Sequence, residues 1–209
     1  MKIIKQSFEM IYPIKNDDWK TEALNIEKIA RLCYKSEDKI TDISYRQMLT
    51  NLVKREHLAM IEHGTMTVKF ITDRGVSHEI VRHRVASYAQ ESTRYCNYSL
   101  DKFNNEITVI SPVGIIENSN QWDIWKHSCE TAEKAYLALL SQENKPEIAR
   151  AVLPNSLKTE IVMTANFREW LHFFKLRTLG TTAHPQIRDL TLPLYENCKI
   201  NLPEIFSID

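Results

Sequence analysis

Arg82-His83-Arg84-Val85-Ala86-Ser87-Tyr88-Ala89-Gln90-Glu91-Ser92-Thr93-Arg94-Tyr95 sets three guanidinium groups, an imidazole, hydroxyls and an amide within 14 residues. Arginine forks match phosphate oxygens bidentately, and serine or threonine hydroxyls and backbone N–H groups complete such a site. Tyr88 and Tyr95 add faces for a planar heterocycle. On physical grounds alone two readings stand, an exposed charged helix end and a nucleotide pocket. The lack of periodicity over 85–105, a loop signature, favours the pocket.

Upstream of this stretch, Met66, Val68 and Phe70 alternate with polar residues, a strand that ends near Asp73-Arg74-Gly75. Residues 77–84 read as helical. Further back, Trp19, Ala23, Ile26, Ala30 and Cys33 step by 4, 3, 4 and 3 and share one helical face, with Asp17 and Asp18 as candidate N-caps. Ser44 to Arg55 reads as a second helix, and residues 1–14 as an edge strand before Pro13. Downstream, Ile107 to Ile110 is a short strand closed by Ser111-Pro112. Trp122, Trp125, Cys129, Ala132, Tyr136 and Leu139 form the core stripe of an amphipathic helix. Pro146 to Leu153 suits a short helix that Pro154 stops, because proline fits a first turn where its missing N–H is no loss. Lys158 to Thr164 suits a strand. Phe167 to Leu176 is a helix apolar around most of its girth, and Ile187, Leu190, Leu194 and Cys198 mark a last helix running through Pro193. No repeat or linker interrupts the chain. The expectation is one α+β domain over 1–209, helix-rich, with a single modest and mainly antiparallel sheet.

Composition narrows the function. Hydrophobic residues are 43% of the 209, enough for a core without staples. The 27 basic and 27 acidic side chains cancel, which argues against holding nucleic acid or an anionic membrane by bulk charge. There are only four glycines, Gly64, Gly75, Gly114 and Gly180, too far apart for a glycine-rich phosphate loop, so any phosphate must be held by side chains. Cys33, Cys96, Cys129 and Cys198 stand singly, and Cys33, Cys129 and Cys198 fall on apolar stripes where a thiol acts as a small hydrophobe. The first residues carry no sustained apolar core, and no run approaches the ~18 apolar residues of a membrane span. A reduced, cytoplasmic protein is expected. His57, His63, His78 and His83 are spaced 6, 15 and 5 apart, which fits no common zinc pattern, so no metal is expected. Ser92 has no base at triad spacing, and Cys96 has no obvious activating partner.

Arg82-His83-Arg84, seven residues and then Ser92 have the form R-H-R-x7-S, and the stretch resembles the signature of flavin-dependent thymidylate synthases. His57 with Glu62-His63 resembles the family's histidine-rich segment. Arg150 in Ala149-Arg150-Ala151-Val152-Leu153-Pro154 resembles its arginine-before-leucine-proline element. Asn166, then Phe173-Phe174-Lys175-Leu176-Arg177, then His184-Pro185-Gln186 resembles its C-terminal block. The resemblance implies conversion of dUMP to dTMP, with methylenetetrahydrofolate as carbon donor and FAD, reduced by NADPH, as hydride source. It further implies a homotetramer with active sites shared between subunits. By motif position Arg82, His83 and Arg84 would bind FAD, with Asn166, Arg168 and His172 completing that site, Gln90 bordering it and His57 near flavin or folate. Ser92, Thr93 and Arg94 would hold the dUMP phosphate with Arg150, and Glu79, Arg82, Gln90 and Glu91 would border the nucleotide. Arg177 would meet the pyrimidine edge and favour its ionised form, the catalytic role, which suits a group that stays charged.

Departures from the family pattern are Glu79 for a common glutamine, Ala89 for asparagine, Gln90 for glutamate and His172 for asparagine. They leave open a divergent one-carbon transfer on the same ring, such as hydroxymethylation. A silent nucleotide-binding protein and an RNA-binding module are the alternatives from other classes, the second weakened by the zero net charge.

Overall fold

In the computed structural model, which describes residues 1–207, the periodic stretches become regular elements. In chain order these are β1 (Lys2–Ile4), β2 (Ser7–Tyr12), α1 (Asn16–Leu32), α2 (Ser44–Lys54), β3 (Thr65–Asp73), α3 (Arg74–Ile80) and β4 (Ala86–Gln90). There follow β5 (Thr108–Ile110), α4 (Asn120–Ser141), α5 (Pro146–Ala149), β6 (Lys158–Asn166), α6 (Phe167–Phe174), α7 (Pro185–Asn201) and α8 (Pro203–Phe206). A 3₁₀ turn at Arg150–Val152 follows α5, and a π-helical turn at Lys175–Leu179 follows α6. The fold is α+β and helix-rich, as the pattern implied.

The local chemistry explains the boundaries. Asp73 closes β3 and caps α3, its carboxylate accepting from the Val76 N–H at 2.7 Å. That capping starts α3 three residues earlier than expected and ends it at Ile80, so Arg82, His83 and Arg84 leave the helix. Asp18 is not an N-cap. It sits inside the first turn of α1 and accepts from the Ile14 and Lys15 N–H groups at 3.0 and 2.8 Å, while Lys15 takes the cap position. Cys33 is the C-cap of α1 and exposed, because the stripe leaves the core where the helix ends. Pro193 lies inside α7 without ending it.

A four-stranded sheet has the order β2–β3–β6–β4. Gly64 lies opposite Phe167, Thr67 opposite Thr164 and Arg74 opposite Leu157, so β3 and β6 run antiparallel. β4 falls in the stretch expected to be aperiodic. Its burial alternates, with Ala86, Tyr88 and Gln90 the more covered positions, but Ala-Ser-Tyr-Ala-Gln carries too little apolar contrast to show this in the sequence. A two-stranded parallel ladder, Lys2 opposite Thr108 and Ile4 opposite Ile110, adds to the one sheet expected.

The described residues group into two compact units. One comprises Met1–Ser7, Phe70–Arg82 and Ala89–Ile161, around Tyr98, Ile107, Val109, Cys129, Tyr136, Ala149 and Leu157. The other comprises Phe8–Lys69, His83–Tyr88 and Val162 onward. Its core is aromatic: Phe167 lies 6.1 Å from Trp19 and 5.4 Å from Phe206, and Phe174 lies 5.4 Å from Tyr195. The wide apolar girth of α6 is thus covered within its own chain and needs no partner subunit.

Gly64 makes that packing possible. A Cβ at this position would stand 2.6 Å from the Phe167 ring and 2.8 Å from Ile26 Cδ1. Gly64→Ala should therefore lower unfolding free energy by ~1–3 kcal/mol, the usual cost of overpacking. Denaturant titration with an unchanged slope would report it as pure loss of stability.

Candidate active site

The first unit gathers a cluster of cations and hydroxyls. After β4 the chain turns back at Ser92, whose carbonyl accepts from the Tyr95 and Cys96 N–H groups at 3.1 and 2.9 Å. This turn carries Thr93, buried, and Arg94, exposed. Arg150 donates from Nη1 to Thr93 Oγ1 at 3.3 Å, and Arg94 Nε donates to Glu147 Oε2 at 2.9 Å. Glu91 takes a different direction: its carboxylate meets Lys158 Nζ at 3.0 Å and the Tyr98 hydroxyl at 3.2 Å. Lys158 also reaches Glu160 at 2.6 Å. Burial alone would lower its pKa, but the hydrogen bonds it donates to Glu160 and Glu91 outweigh that and raise it, so the ammonium stays charged. Gln90 Nε2 donates to Ser77 Oγ at 3.0 Å and to Thr159 Oγ1 at 3.2 Å. Glu79 sits near the end of α3, and Arg82, on the turn that follows, is exposed. Burial, then the charge of Glu91, pushes the Cys96 thiol up, which disfavours the thiolate a nucleophile requires.

The second unit holds a cavity of about 1040 Å³, at the upper end of ligand-pocket sizes (roughly 300–1,000 Å³). Val53, Leu58, Val85, Leu171 and Leu179 make it largely apolar, and Asn166, Arg168, Glu169 and His172 supply polar groups. Asn166 also caps α6, its Oδ1 accepting from the Glu169 N–H at 2.9 Å. That cap sends Arg168, Glu169 and His172 out along the first turns. Arg168 pairs with Glu62 at 2.6 Å. Arg84 and His57 are exposed, His57 one residue before Leu58. An apolar cavity with a few convergent donors fits the flat, polar-edged ring system of a flavin.

His83 is buried, 3% exposed, with Phe173 edge-on at 4.9 Å and the Tyr88 hydroxyl donating to its carbonyl at 2.6 Å. Both ring nitrogens are engaged by the chain itself. Nδ1 lies 3.1 Å from Glu169 Oε1, and Nε2 accepts from Arg177 Nε at 3.2 Å. Arg177 stands on the π-helical turn, a widened geometry frequent at functional sites. Thr191 of α7 fixes that turn, since its hydroxyl meets both Thr178 Oγ1 at 2.8 Å and the Arg177 carbonyl at 3.3 Å. Burial, with the charges of Arg177 and His172 beside it, pushes His83 down from an ordinary 6.5 to about 4. Burial raises the Glu169 carboxyl, with the charge of His172 opposing it. His83, Glu169 and His172 bring three potential ligand atoms within 4.8 Å. A cation there would face the Arg177 guanidinium, and the contacts of His83 are already those of a neutral hydrogen-bonded ring.

The residues expected at the phosphate therefore gather in one unit, which also holds Arg82 and Gln90 of the flavin set, while His83, Arg84, Asn166, Arg168 and His172, with Arg177, lie in the other. Glu169, Glu147 and Lys158 were not anticipated. Glu169 was open to detection as the third residue after Asn166, flanked by Arg168 and His172, both of which the resemblance had marked.

This is an α+β protein with a nucleotide-sized apolar cavity and a preset guanidinium. Residues 17–204 match the family model described as thymidylate synthase complementing protein, and the chain belongs to that family. A flavin-dependent thymidylate synthase of Geobacter sulfurreducens is 32% identical over 185 residues, 85% of this chain and 77% of that protein. One from Pyrococcus abyssi is 32% identical over 181 residues, 86% of this chain and 68% of that protein. Among solved structures, the UMP/dUMP methylase PolB from Streptomyces cacaoi, bound with 5-Br dUMP, superposes with a TM-score of 0.78 over 99% of this chain and 96% of that one. At 22% identity that likeness speaks to fold.

The depressed pKa of His83 makes stability depend on pH. Between about 4 and 6.5 the unfolded chain binds more protons at this site than the folded one, so this contribution is complete above 6.5 and is lost as pH falls toward 4. Glu169, raised by burial, works in the opposite sense. His83→Asn should flatten the decline of unfolding free energy from pH 6.5 to 4, as read from denaturant midpoints at each pH.

Proposed function

We propose that this chain is an FAD-dependent thymidylate synthase that reductively methylates dUMP to dTMP, with methylenetetrahydrofolate as carbon donor and NADPH as reductant of the flavin. The observation that carries this reading is a guanidinium, Arg177, held by a neutral buried histidine in the unit whose apolar cavity suits the flavin. Family membership and the relatives' names support it.

Asn166, Arg168 and His172 would hold the FAD, with Arg82, His83 and Arg84 of the signature. Bound there, the flavin supplies the hydride. Ser92, Thr93, Arg94 and Arg150 would bind the dUMP phosphate through charge-assisted hydrogen bonds, each worth ~1.5–3 kcal/mol. Arg94 would exchange Glu147 for phosphate, a swap of one anion for another at a partly exposed position. Arg177 would stabilise negative charge on the pyrimidine, which makes the ring carbon nucleophilic without a covalent bond from the enzyme. A raised Cys96 thiol agrees with that absence of covalent catalysis.

We read the protein further as one domain over 1–209, whose last two residues lie outside the described ones, and as cytoplasmic. Among the described residues no helix is long and apolar enough to cross a membrane. A homotetramer with shared sites accords with large apolar side chains left exposed, Ile116, Ile124 and Ile200 at 77%, 66% and 78%.

Two measurements test these statements. Arg177→Ala should lower dTMP formation by ~10²–10³ while NADPH still bleaches the flavin, and Cys96→Ala should keep turnover near wild type. Loss of turnover in Cys96→Ala with dUMP and FAD still bound, and none in Arg177→Ala, would refute the mechanism. Light scattering at micromolar protein should give four times the chain mass, and a fully active monomer would refute shared sites.

A further inference from the structure

Glu169 belongs to none of the motifs on which the functional reading rests, yet its carboxylate lies 3.1 Å from His83 Nδ1. On the other side of the same ring, Arg177 Nε lies 3.2 Å from Nε2. A guanidinium has N–H donors and no acceptor, so Nε2 must be the bare nitrogen of a neutral ring and the proton must sit on Nδ1. Which nitrogen of a histidine carries the proton is set by the hydrogen bond the other nitrogen makes. Here each nitrogen has one such partner, and the two demands agree.

We infer that Glu169 is a positioning residue: it holds the His83 proton on Nδ1, leaving Nε2 as the acceptor that aims the Arg177 guanidinium. The inference rests on the role proposed for Arg177. Rotation of the ring gives no escape, because Phe173 packs edge-on at 4.9 Å and His83 is only 3% exposed. The backbone of Glu169 is itself fixed in the first turn of α6, its N–H donating to the Asn166 cap. Without Glu169 the Nδ1 proton has no acceptor, only Arg177 still opposes the Nε2-protonated ring, and that form becomes populated. Two N–H donors then face each other, and Arg177 turns away. A glutamine at 169 retains an acceptor, its amide oxygen, and keeps the arrangement.

The test uses FAD-loaded protein with ¹⁵N-labelled histidine. NMR of wild type and of Glu169→Gln should show His83 neutral with its proton on Nδ1, and Glu169→Ala should populate the Nε2-protonated form. In steady-state assays with dUMP, Glu169→Ala should lose up to ~10² in kcat, the scale of a misplaced reacting group, with a smaller change in KM for dUMP. Glu169→Gln should recover kcat to within a few-fold. A wild-type His83 protonated on Nε2, or Glu169→Gln as impaired as Glu169→Ala, overturns the inference, as does Glu169→Ala with wild-type kcat. If wild type forms no dTMP, the functional reading fails instead, and the tautomer measurement still decides the role of Glu169. Should Glu169→Ala fail to fold, the wild-type tautomer and the behaviour of Glu169→Gln decide it.

Discussion

A buried imidazole with a donor on one side and a carboxylate on the other is a demanding object to build. Removing His83 from water penalises its charged form, and the neighbouring guanidinium penalises it further. The ring must then be neutral, and a neutral ring has one donor and one acceptor to satisfy. Three separate stretches of chain converge on it. The signature segment supplies the ring, the first turn of α6 supplies Glu169, and the π-helical turn supplies Arg177. The Tyr88 hydroxyl, on the half-buried face of β4, ties down the backbone of the same residue. Much of the apparatus in this unit follows from keeping that ring in place. The Asn166 cap fixes where α6 starts, and the Thr178–Thr191 hydrogen bond holds the turn after it.

The other unit solves its problem by redundancy. Cations stand next to anions: Arg94 with Glu147, and Lys158 with Glu91 and Glu160. Exposed pairs such as Arg94–Glu147 contribute little to stability. Their use is to hold long side chains extended, which reduces the rotamer entropy a ligand would otherwise have to offset. The Ser92 turn and the short 3₁₀ turn that begins at Arg150 do the same for backbone.

Helical stripes were legible in the sequence because one-sided burial leaves a period. Trp19 to Ala30 and Trp122 to Tyr136 needed no tertiary knowledge. β4 was illegible because alanine and serine on the outward face and alanine, tyrosine and glutamine on the inward one barely differ in hydrophobicity. The π-helical turn reads as more helix, since a single widened turn shifts the phase without erasing the apolar pattern. The girth of α6 read as broadly apolar with no visible cover because its covering aromatics, Trp19, Tyr195 and Phe206, are distant in sequence. Glu169 escaped notice for a subtler reason. An acidic residue in the first turn of a helix already has an explanation in the helix dipole, and that ordinary explanation hid the specific one. The motif residues themselves were legible, but the split of their hydrogen bonds between ligand-holding and self-holding was not. Glu91 turns to Lys158 and Tyr98, and Arg94 finds Glu147 53 positions along the chain.

Gln90 is one of the departures from the family pattern noted in the sequence, a neutral amide in place of glutamate, and the two hydroxyls on its amide nitrogen determine what that exchange demands. Ser77 Oγ and Thr159 Oγ1 both accept from it. A hydroxyl is ambivalent: rotated about its C–O bond, it donates as readily as it accepts. An acid at position 90 would meet the same two oxygens: the Thr159 hydroxyl can swing its hydrogen toward it, whereas the Ser77 hydrogen is already given to the Arg74 carbonyl at 2.9 Å and would have to leave it. Changing the residue would change the charge at this position at the expense of one hydrogen bond in the first turn of α3. Of the two hydroxyls Thr159 is the joint that can turn and Ser77 the fixed hinge, so the pair is matched to an amide that donates to it more closely than to an acid that must be donated to.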